Sequence, residues 1–266
     1  MQELCARWVG LPAAEARFVR RHAALQVQLT GGKVTTRLMQ GVWDWSKSIA
    51  VALVIWLVLR TFVIESFHIP SGSMENTLLV GDFLFVTKAV YGAEVPLVHT
   101  HLPGFRQPRR GDIVVFRSVV DGSTIVKRLI GLSGDTLAMR GGHLFRNGIA
   151  LVESYALHVD STRSETPSER ARMRAWQIPH LAPGQDTAAY VPDVEDWGPV
   201  VIPRDSVFVM GDNRDNSLDS RYWGPLPRGN IQGEPVLLYY SYDPDSWRTW
   251  PFLTAIRWSR LLARPR

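Results

Sequence analysis

The sequence predicts a mainly β protein, made of short antiparallel strands, that is preceded by one transmembrane helix. Beyond residue 67, short runs of alternating apolar and polar residues follow one another and are separated by glycines. Strands do not alternate with long helical segments there, so a parallel sheet is not expected. One long apolar stretch precedes the strands, and such a stretch is typical of a membrane span.

The predicted transmembrane helix covers residues 48–66. Its apolar part, residues 48–64, carries a single charge, Arg60, and is at the short limit of the roughly 17–25 residues that cross a bilayer. Trp43 and Trp45 precede it, as aromatic anchors do at a membrane interface. A buried core helix is the alternative that this pattern leaves open.

Basic residues predict how the chain is oriented. Residues 1–47 carry more arginine and lysine than acid, so this segment should stay in the cytoplasm and the chain beyond the helix should lie outside. A second basic stretch, residues 247–266, combines arginines with tryptophans. It is predicted to lie on the membrane surface, and a cap on the protein core is the alternative.

The main β domain is predicted over residues 67–140 and 203–246. Residues 141–202 are predicted to form a smaller β subdomain inserted in it, and their polar part, 160–187, is typical of a surface loop. The strands predicted for the main domain are Asp82–Thr87, Asp112–Arg117, Thr124–Ile130, Ser206–Met210 and Pro235–Tyr242.

Composition argues against several classes of partner and cofactor. The formal net charge is +5, but the excess of basic residues lies at the two ends of the chain, and no nucleic-acid-binding motif is visible, so nucleic acid is not an expected partner. Cys5 is the only cysteine, which excludes a disulfide within the chain and a cysteine-based metal site. His99 and His101 lack a third ligand at a suitable spacing. We therefore expect neither a metal nor another cofactor.

Three segments carry residues that are suited to chemistry. Gly72 lies between Ser71 and Ser73 and permits a bend that displays a hydroxyl group. Lys127 interrupts an apolar strand, and alternation places it on the face of Ile125 and Leu129. The third segment, residues 211–224, is dense in short polar side chains, which is typical of a hydrogen-bonding network that orients other groups. Each of the first two segments also has an ordinary structural interpretation, as a loop and as an edge lysine.

Taken together, the segments resemble the bacterial type I signal peptidases. The similarity includes PSGSM at 70–74, RGDIVVF at 110–116, KRLIGLSGD at 127–135 and GDNRDNSLDSRYWG at 211–224. These motifs occur in the order of the family and span most of the predicted β domain. The resemblance implies an antiparallel coiled-sheet catalytic domain of the signal-peptidase type, with a smaller β insertion.

The resemblance also implies roles for individual residues. Ser73 corresponds to the nucleophile and Lys127 to the general base of a Ser/Lys dyad. The oxyanion hole corresponds to the Ser71 hydroxyl and the Ser73 backbone N–H, and Ser217 to the hydroxyl that orients Lys127. The supporting residues are Asp219, Arg221, Gly211 and Arg128, and the apolar substrate pockets are implied at Phe67, Ile69, Met74 and Val126.

Two positions depart from the pattern of the family. Asn76 stands where a proline is usual. Ser133 stands at the proline of a GLPGD motif that is common in the family, since residues 131–135 read GLSGD here. Both are turn positions away from the expected chemistry, so the predicted roles are unaffected.

The predicted mechanism places a physical demand on Lys127. A lysine has a reference pKa of about 10.4, so the pKa of this side chain must fall by roughly three units for it to act as a base near neutral pH. Burial can lower the pKa of a lysine by that amount, whereas an adjacent carboxylate would raise it. We therefore expect Lys127 to be buried and Asp212, Asp215 and Asp219 to point elsewhere.

The resemblance predicts a membrane-bound serine endopeptidase that removes signal peptides from secretory preproteins after small residues of the Ala-X-Ala type. It would act as a monomer in the bacterial inner membrane, with a single span and its catalytic domain on the periplasmic face. The alternatives are a processing peptidase for pilus or conjugation proteins, a self-cleaving repressor, a Ser-His-Asp hydrolase that uses His68, and a non-catalytic β domain tethered to the membrane.

Overall fold

The computed structural model describes residue 39 and residues 41–57, 64–92, 94–95, 100–101, 104–159 and 165–265. The chain divides into two compact units, residues 1–58 and 59–266. In the first unit, helix α1 covers residues 41–57, and its side chains are exposed.

The membrane span that the sequence predicts over residues 48–66 is only partly within the described residues. The described part of helix α1 extends to residue 57, and residues 58–63 lie outside the described part of the chain. Residues 64–66 lie in a β-strand and not in a helix, so the predicted span is too long at its C-terminal end. Among the residues that the structure describes, no helix combines the length and the apolar character needed to cross a membrane.

The second unit is mainly antiparallel β structure, as the sequence predicts. Its strands are β1 (Ile64–His68), β2 (Asp82–Thr87), β3 (Glu94–Val95), β4 (Thr100–His101), β5 (Ile113–Arg117), β6 (Thr124–Leu132), β7 (Thr136–Arg140), β8 (His143–Arg146), β9 (Ile149–Ala150), β10 (Trp197–Val201), β11 (Ser206–Met210), β12 (Leu226–Pro227) and β13 (Ile231–Ser241). The helices are α2 (Pro167–Gln177), α3 (Ser220–Trp223) and α4 (Pro251–Thr254), with 3-10 turns at Gly72–Met74, Ile178–His180, Arg228–Asn230 and Trp258–Arg260.

A seven-stranded sheet carries most of the unit, in the order β1-β2-β13-β5-β6-β11-β12. Strand β13 connects its two halves, because its first residues pair with β5 and its later residues pair with β2. Register shifts between Ile231 and Gly233, and again between Pro235 and Leu237, mark irregularities along β13, and bulges of this kind bend a strand. One long strand can therefore serve two neighbours.

The smaller sheet has four strands in the order β10-β7-β8-β9. Strand β7 belongs to this sheet, so the sheet begins at Thr136, before the boundary that the sequence predicts at residue 141. It packs with helix α2 around buried Trp197, Met139 and Met173, and Phe208 of β11 lies in the same cluster. This shared core attaches the smaller sheet to the larger one.

Helix α2 corrects the expectation of a surface loop over residues 160–187. Thr166 caps the helix, and the Glu169 side chain accepts a hydrogen bond from the Thr166 backbone N–H, which completes a capping box. Pro167 occupies the first turn, where it is well tolerated. Met173 and Gln177 are buried on the inner face. Only a narrow stripe of this helix is buried, so its sequence is mostly polar and shows no clear helical pattern of apolar residues.

The C-terminal stretch folds onto the larger sheet. The backbones of Leu262 and Ala263 exchange hydrogen bonds with Leu238 of β13. Arg260 forms two hydrogen bonds with Asp82, at 2.5 and 3.1 Å, and the Asp82 side chain is fully buried. The aromatic side chains of Trp247 and Trp258 remain exposed. The stretch therefore has both a docked side and an exposed aromatic side.

The pairing of Arg260 with Asp82 should matter for stability. Replacing Arg260 by alanine leaves a buried carboxylate without its cation, so we expect R260A to lower the free energy of unfolding by about 2–4 kcal/mol. Urea denaturation measures this change. The matched control is R248A, because Arg248 is exposed and, among the described residues, its side chain donates to the Thr254 carbonyl and to no carboxylate. Equal stabilities of the two variants would contradict the prediction.

Candidate active site

Ser73 lies in the 3-10 turn that follows β1, and two buried neighbours hold this turn in place. Met74 and Leu78 are buried in the core of the larger sheet, and the Leu78 N–H donates to the Met74 carbonyl at 2.8 Å. The backbone of Ile69 exchanges hydrogen bonds with the backbones of Gly81 and Asp82. The turn is thus anchored on both sides, and the Ser73 hydroxyl is displayed at its surface.

Lys127 lies on β6, opposite Val114 of β5. Its side chain is buried, with 4% exposure, and its Nζ is hydrogen-bonded to Ser73 Oγ. Ile125 and Leu129 pack in one apolar cluster, while Val126 packs against another. The structure therefore brings together the two residues that the sequence predicts as nucleophile and base.

Burial lowers the pKa of Lys127 from 10.5 to about 8. The charges of Asp219 and Asp212 act in the opposite direction, and the charge of Arg221 lowers the pKa further. Desolvation dominates because the ammonium form loses its hydration in the apolar surroundings. With this pKa, about a tenth of the side chain is the neutral amine at pH 7, and this form can accept a proton.

The polar segment 211–224 closes the site from the other side. Asp219 is fully buried and accepts hydrogen bonds from Ser217 Oγ at 2.7 Å, from Arg221 Nε at 2.9 Å and from the Gly211 N–H at 3.0 Å. Burial alone would raise the pKa of Asp219. The pairing with Arg221 and these hydrogen bonds outweigh burial and hold that pKa below its usual value. Asp219 is therefore ionised and engaged with Arg221, and it makes no described hydrogen bond to Lys127.

Ser217, which the sequence predicts to orient Lys127, lies beside Gly211. Its hydroxyl donates to Asp219, and no hydrogen bond to Lys127 is present among the described residues. A Cβ atom on Gly211 would lie 2.3 Å from Ser217 Oγ and 2.4 Å from the Ser73 carbonyl oxygen. Glycine is thus required at this position because its backbone is wedged between the two serines.

A second buried ion pair joins Arg128 of β6, the residue after Lys127, to Asp212 of the polar segment. Arg128 donates to Asp212 at 2.6 and 2.8 Å, and to the Gly111 carbonyl at 2.9 Å. The ring of Tyr155 lies 4.0 Å from the Arg128 guanidinium, which favours a cation–π interaction. Asp212 is thereby paired with an arginine and not with Lys127, as the mechanism requires.

Sequence reasoning missed a strap, residues 151–159, that crosses the polar segment. Glu153 forms a bidentate ion pair with Arg214 at 2.7 and 2.8 Å, and both side chains are buried. The Leu157 N–H donates to the Asp212 carbonyl, and the Arg214 N–H donates to the Leu157 carbonyl. No motif marks this strap. The burial of Arg214, which calls for a carboxylate partner, is visible only in the structure.

Asn76, which departs from the proline of the family, has a distinct backbone geometry. Its φ angle is 85°, which a proline ring cannot adopt. Its Nδ2 donates to the Tyr155 carbonyl of the strap at 3.0 Å. The other departure, Ser133, donates to the Ser206 carbonyl at 3.1 Å. Each replacement therefore makes a hydrogen bond that proline cannot make.

The predicted pocket residues line one small cavity next to Ser73. Its volume is about 80 Å³, and Phe67, Ile69, Met74 and Val126 are all among its walls. Ser71 lies at the same cavity, and its Oγ is 3.4 Å from Ser73 Oγ. The arrangement can therefore receive a small apolar side chain next to the Ser73 hydroxyl.

His68 was the candidate base of the alternative Ser-His-Asp arrangement. Its ring packs at a tilt of 41° against the ring of Phe83, with centroids 4.6 Å apart, and no described hydrogen bond joins it to Ser73. Within the residues that the structure describes, no cluster of three His, Cys, Asp or Glu side chains is arranged to bind a metal ion.

The antiparallel fold and the surroundings of Ser73 are those of a serine peptidase, and comparisons identify the family. The profile of the family described as signal peptidase, peptidase S26, matches residues 42–240. The chain therefore belongs to this family, and it is a serine endopeptidase.

Relatives from several bacteria agree with this assignment. Signal peptidase I of Pseudomonas aeruginosa is 36% identical over 76% of this chain and 73% of its own length. Signal peptidase I of Leptolyngbya laminosa is 35% identical over 78% and 82%, and signal peptidase I P of Bacillus subtilis subsp. natto is 31% identical over 76% and 90%. A crystal structure of a signal peptidase I from Enterococcus faecalis is 29% identical and covers 48% of this chain and 97% of its own, with a TM-score of 0.33. The assignment rests on the sequence comparisons.

The packing around Gly211 generates a prediction about activity. Replacing Gly211 by alanine places a methyl group against Ser217 and the Ser73 carbonyl, which must displace Ser73. A displacement of about 1 Å can cost about 100-fold in rate, so we expect G211A to reduce kcat/KM for peptide cleavage by about that factor or more. The control is G229A, because a Cβ on Gly229 meets nothing within 4 Å. Full activity of G211A would contradict this packing.

Proposed function

We propose that this protein removes signal peptides from secretory preproteins, with Ser73 as nucleophile and Lys127 as general base. Membership in the signal peptidase family supports the activity. The observation that carries the residue assignment is the hydrogen bond between Lys127 Nζ and Ser73 Oγ. A serine hydroxyl needs a base within such reach to become a nucleophile, and the lowered pKa of Lys127 suits it to that role.

In the first half of the reaction, Ser73 Oγ attacks the carbonyl carbon of the scissile bond while its proton moves to Lys127 Nζ. The carbonyl oxygen becomes an oxyanion, which accepts hydrogen bonds from the Ser73 N–H and the Ser71 hydroxyl. The carbon–nitrogen bond then breaks, and the leaving amine takes the proton from the Lys127 ammonium. The product is an ester between Ser73 and the signal peptide.

In the second half, water replaces the amine. Lys127, again neutral, takes a proton from the water as its oxygen attacks the ester carbonyl carbon. The ester bond breaks, Ser73 Oγ recovers a proton from Lys127, and the signal peptide leaves with a new carboxylate. No cofactor is needed at any step, because the protons all pass between Lys127, Ser73, the attacking water and the substrate.

The small cavity supports a preference for small residues before the cut. Its volume of about 80 Å³ and the apolar walls at Phe67, Ile69, Met74 and Val126 favour side chains of the size of alanine. Strand β1 is at one edge of the seven-stranded sheet, and an extended peptide can bind by adding to a free strand edge. Substrate backbone pairing beside β1 would deliver the Ala-X-Ala segment to Ser73.

The two buried ion pairs and Ser217 are proposed to hold the dyad in place. Asp219 fixes Ser217 by a hydrogen bond and is itself fixed by Arg221. Arg128 holds Asp212 away from Lys127. A small movement of Ser217 toward Lys127 Nζ would let its hydroxyl orient the amine while Asp219 remains paired.

The membrane is the proposed location of the enzyme. The apolar stretch that begins at residue 48 would form a single span that ends before β1, with the N-terminus in the cytoplasm and the catalytic domain, as a monomer, at the periplasmic face of the inner membrane. Exposed Trp247, Trp250 and Trp258 lie near several arginines on the C-terminal stretch, and this combination favours contact with a lipid surface.

Cleavage of a preprotein in detergent tests the dyad. Removing either member should lower kcat by about 1,000-fold or more, because the nucleophile and base act as a unit. The variants are S73A and K127A, and the matched control is K88A, since Lys88 pairs with Glu65 outside the small cavity. Mass spectrometry of the products reports the cleavage site. Activity that survives in K127A would overturn Lys127 as the base.

The pH dependence of kcat/KM should show a single limb at low pH. Only neutral Lys127 accepts a proton, so the rate should fall about tenfold for each pH unit below the pKa of about 8 and level off above it. Steady-state measurements of kcat/KM between pH 5.5 and pH 9 test this, because the range extends from well below the pKa of Lys127 to above it. Circular dichroism over the same range controls for unfolding. A rate that stays level from pH 9 down to pH 5.5 would contradict Lys127 as the base and would indicate a carboxylate base instead.

A further inference from the structure

A second depression meets Ser73 and Lys127, and it is larger than the small cavity. Its volume is about 310 Å³, against about 80 Å³ for the small cavity. The two share Ser71, Ser73, Ile125 and Lys127, while their other walls have no residue in common. We refer to this second depression as the hairpin cleft, because the loop of the β5–β6 hairpin forms one of its walls.

The hairpin cleft has a defined chemical character. The β5–β6 loop contributes Val120 and Asp121, and the polar segment contributes Asn216, Leu218 and Trp223. The side chains of Val120 and Leu218 are largely exposed, so they are available to a ligand. Asp121 is the one acid among the lining residues. The cleft therefore offers apolar surface, one amide and one negative charge.

We propose that the hairpin cleft binds the first residues after the scissile bond, which become the N-terminus of the mature protein. This inference rests on the proposed function. A peptide bond held at Ser73 Oγ has chain on both sides of it, and the small residues before the cut occupy the small cavity. The amine side must then leave over the other walls that meet at Ser73 and Lys127, and these are the walls of the hairpin cleft.

Asp121 gives the cleft a charge preference. The Ser123 backbone and hydroxyl both donate to Asp121 Oδ1, at 3.1 and 2.7 Å, which fixes the carboxylate within the loop. These hydrogen bonds, together with one from Ser118, lower the pKa of Asp121, so the group is ionised throughout the working range. It should favour lysine or arginine in the first residues of the mature protein and disfavour aspartate or glutamate.

The size of this preference follows from the exposure of Asp121. Asp121 is exposed, so each charge pair that it makes with a substrate should change kcat/KM by only about 1.5- to 5-fold. Replacing glutamate by lysine in the substrate both removes a repulsion from Asp121 and adds an attraction to it. We therefore expect the wild-type protein to cleave a lysine substrate about 3- to 10-fold more efficiently than its glutamate counterpart at low salt.

The test uses three preprotein substrates that are identical up to the cut and carry lysine, alanine or glutamate at the second residue after it. The ratio of kcat/KM for lysine over glutamate should fall to about 1 in D121N. It should stay at the wild-type value in the control D245N, because Asp245 is exposed and lies outside the lining of the cleft. Added salt should lower the wild-type ratio toward 1.

A second variant tests the apolar wall separately from the charge. V120S should reduce kcat/KM for a substrate with leucine after the cut by about 2- to 5-fold relative to the alanine substrate, because buried apolar contact is lost. A D121N variant that cleaves the substrates but keeps the wild-type ratio overturns this inference and leaves the proposed function intact. A wild-type protein that cleaves none of the substrates overturns both.

Discussion

The structure depends on one costly arrangement, a lysine amine held away from water against a serine hydroxyl. The pKa of Lys127 falls by about 2.5 units from its reference value, and at 1.36 kcal/mol per unit this corresponds to roughly 3 kcal/mol of disfavoured charge. Apolar neighbours on both faces of β6 impose that cost. A single unpaired carboxylate beside the amine would reverse much of it, so the placement of every nearby acid is constrained.

The two nearby acids are both neutralised by arginines. Asp219 is paired with Arg221, and Asp212 is paired with Arg128, and all four side chains are buried. Buried ion pairs of this kind add little net stability, because desolvation offsets their attraction. These two ion pairs neutralise the acids, so the polar segment can pack against Lys127 without returning the pKa of Lys127 to its ordinary range. Through Asp219 they also fix Ser217 and Gly211 beside Ser73.

The sequence predicts what depends on local pattern and fails where distant segments meet. Strand β2 and strand β11 have the predicted bounds, because alternation and turn glycines mark them. The meeting of Ser73 with Lys127 is predicted through family resemblance, since neither residue is convincing by its local pattern. Helix α2 was missed because its buried stripe is narrow, although its capping box was present in the sequence. Glu153 was missed because an ion pair across 61 positions leaves no periodic trace.

The strap has a consequence for how this protein can be altered. Residues 151–159 follow directly from β9 of the smaller sheet, and they carry Glu153 to Arg214 and Leu157 to Asp212. The smaller sheet is therefore not an appendage that can be trimmed to obtain a minimal protease. Shortening it would release the backbone to which the polar segment is tied. Conversely, a molecule that binds the smaller sheet and shifts the strap would inhibit the enzyme without occupying the substrate site.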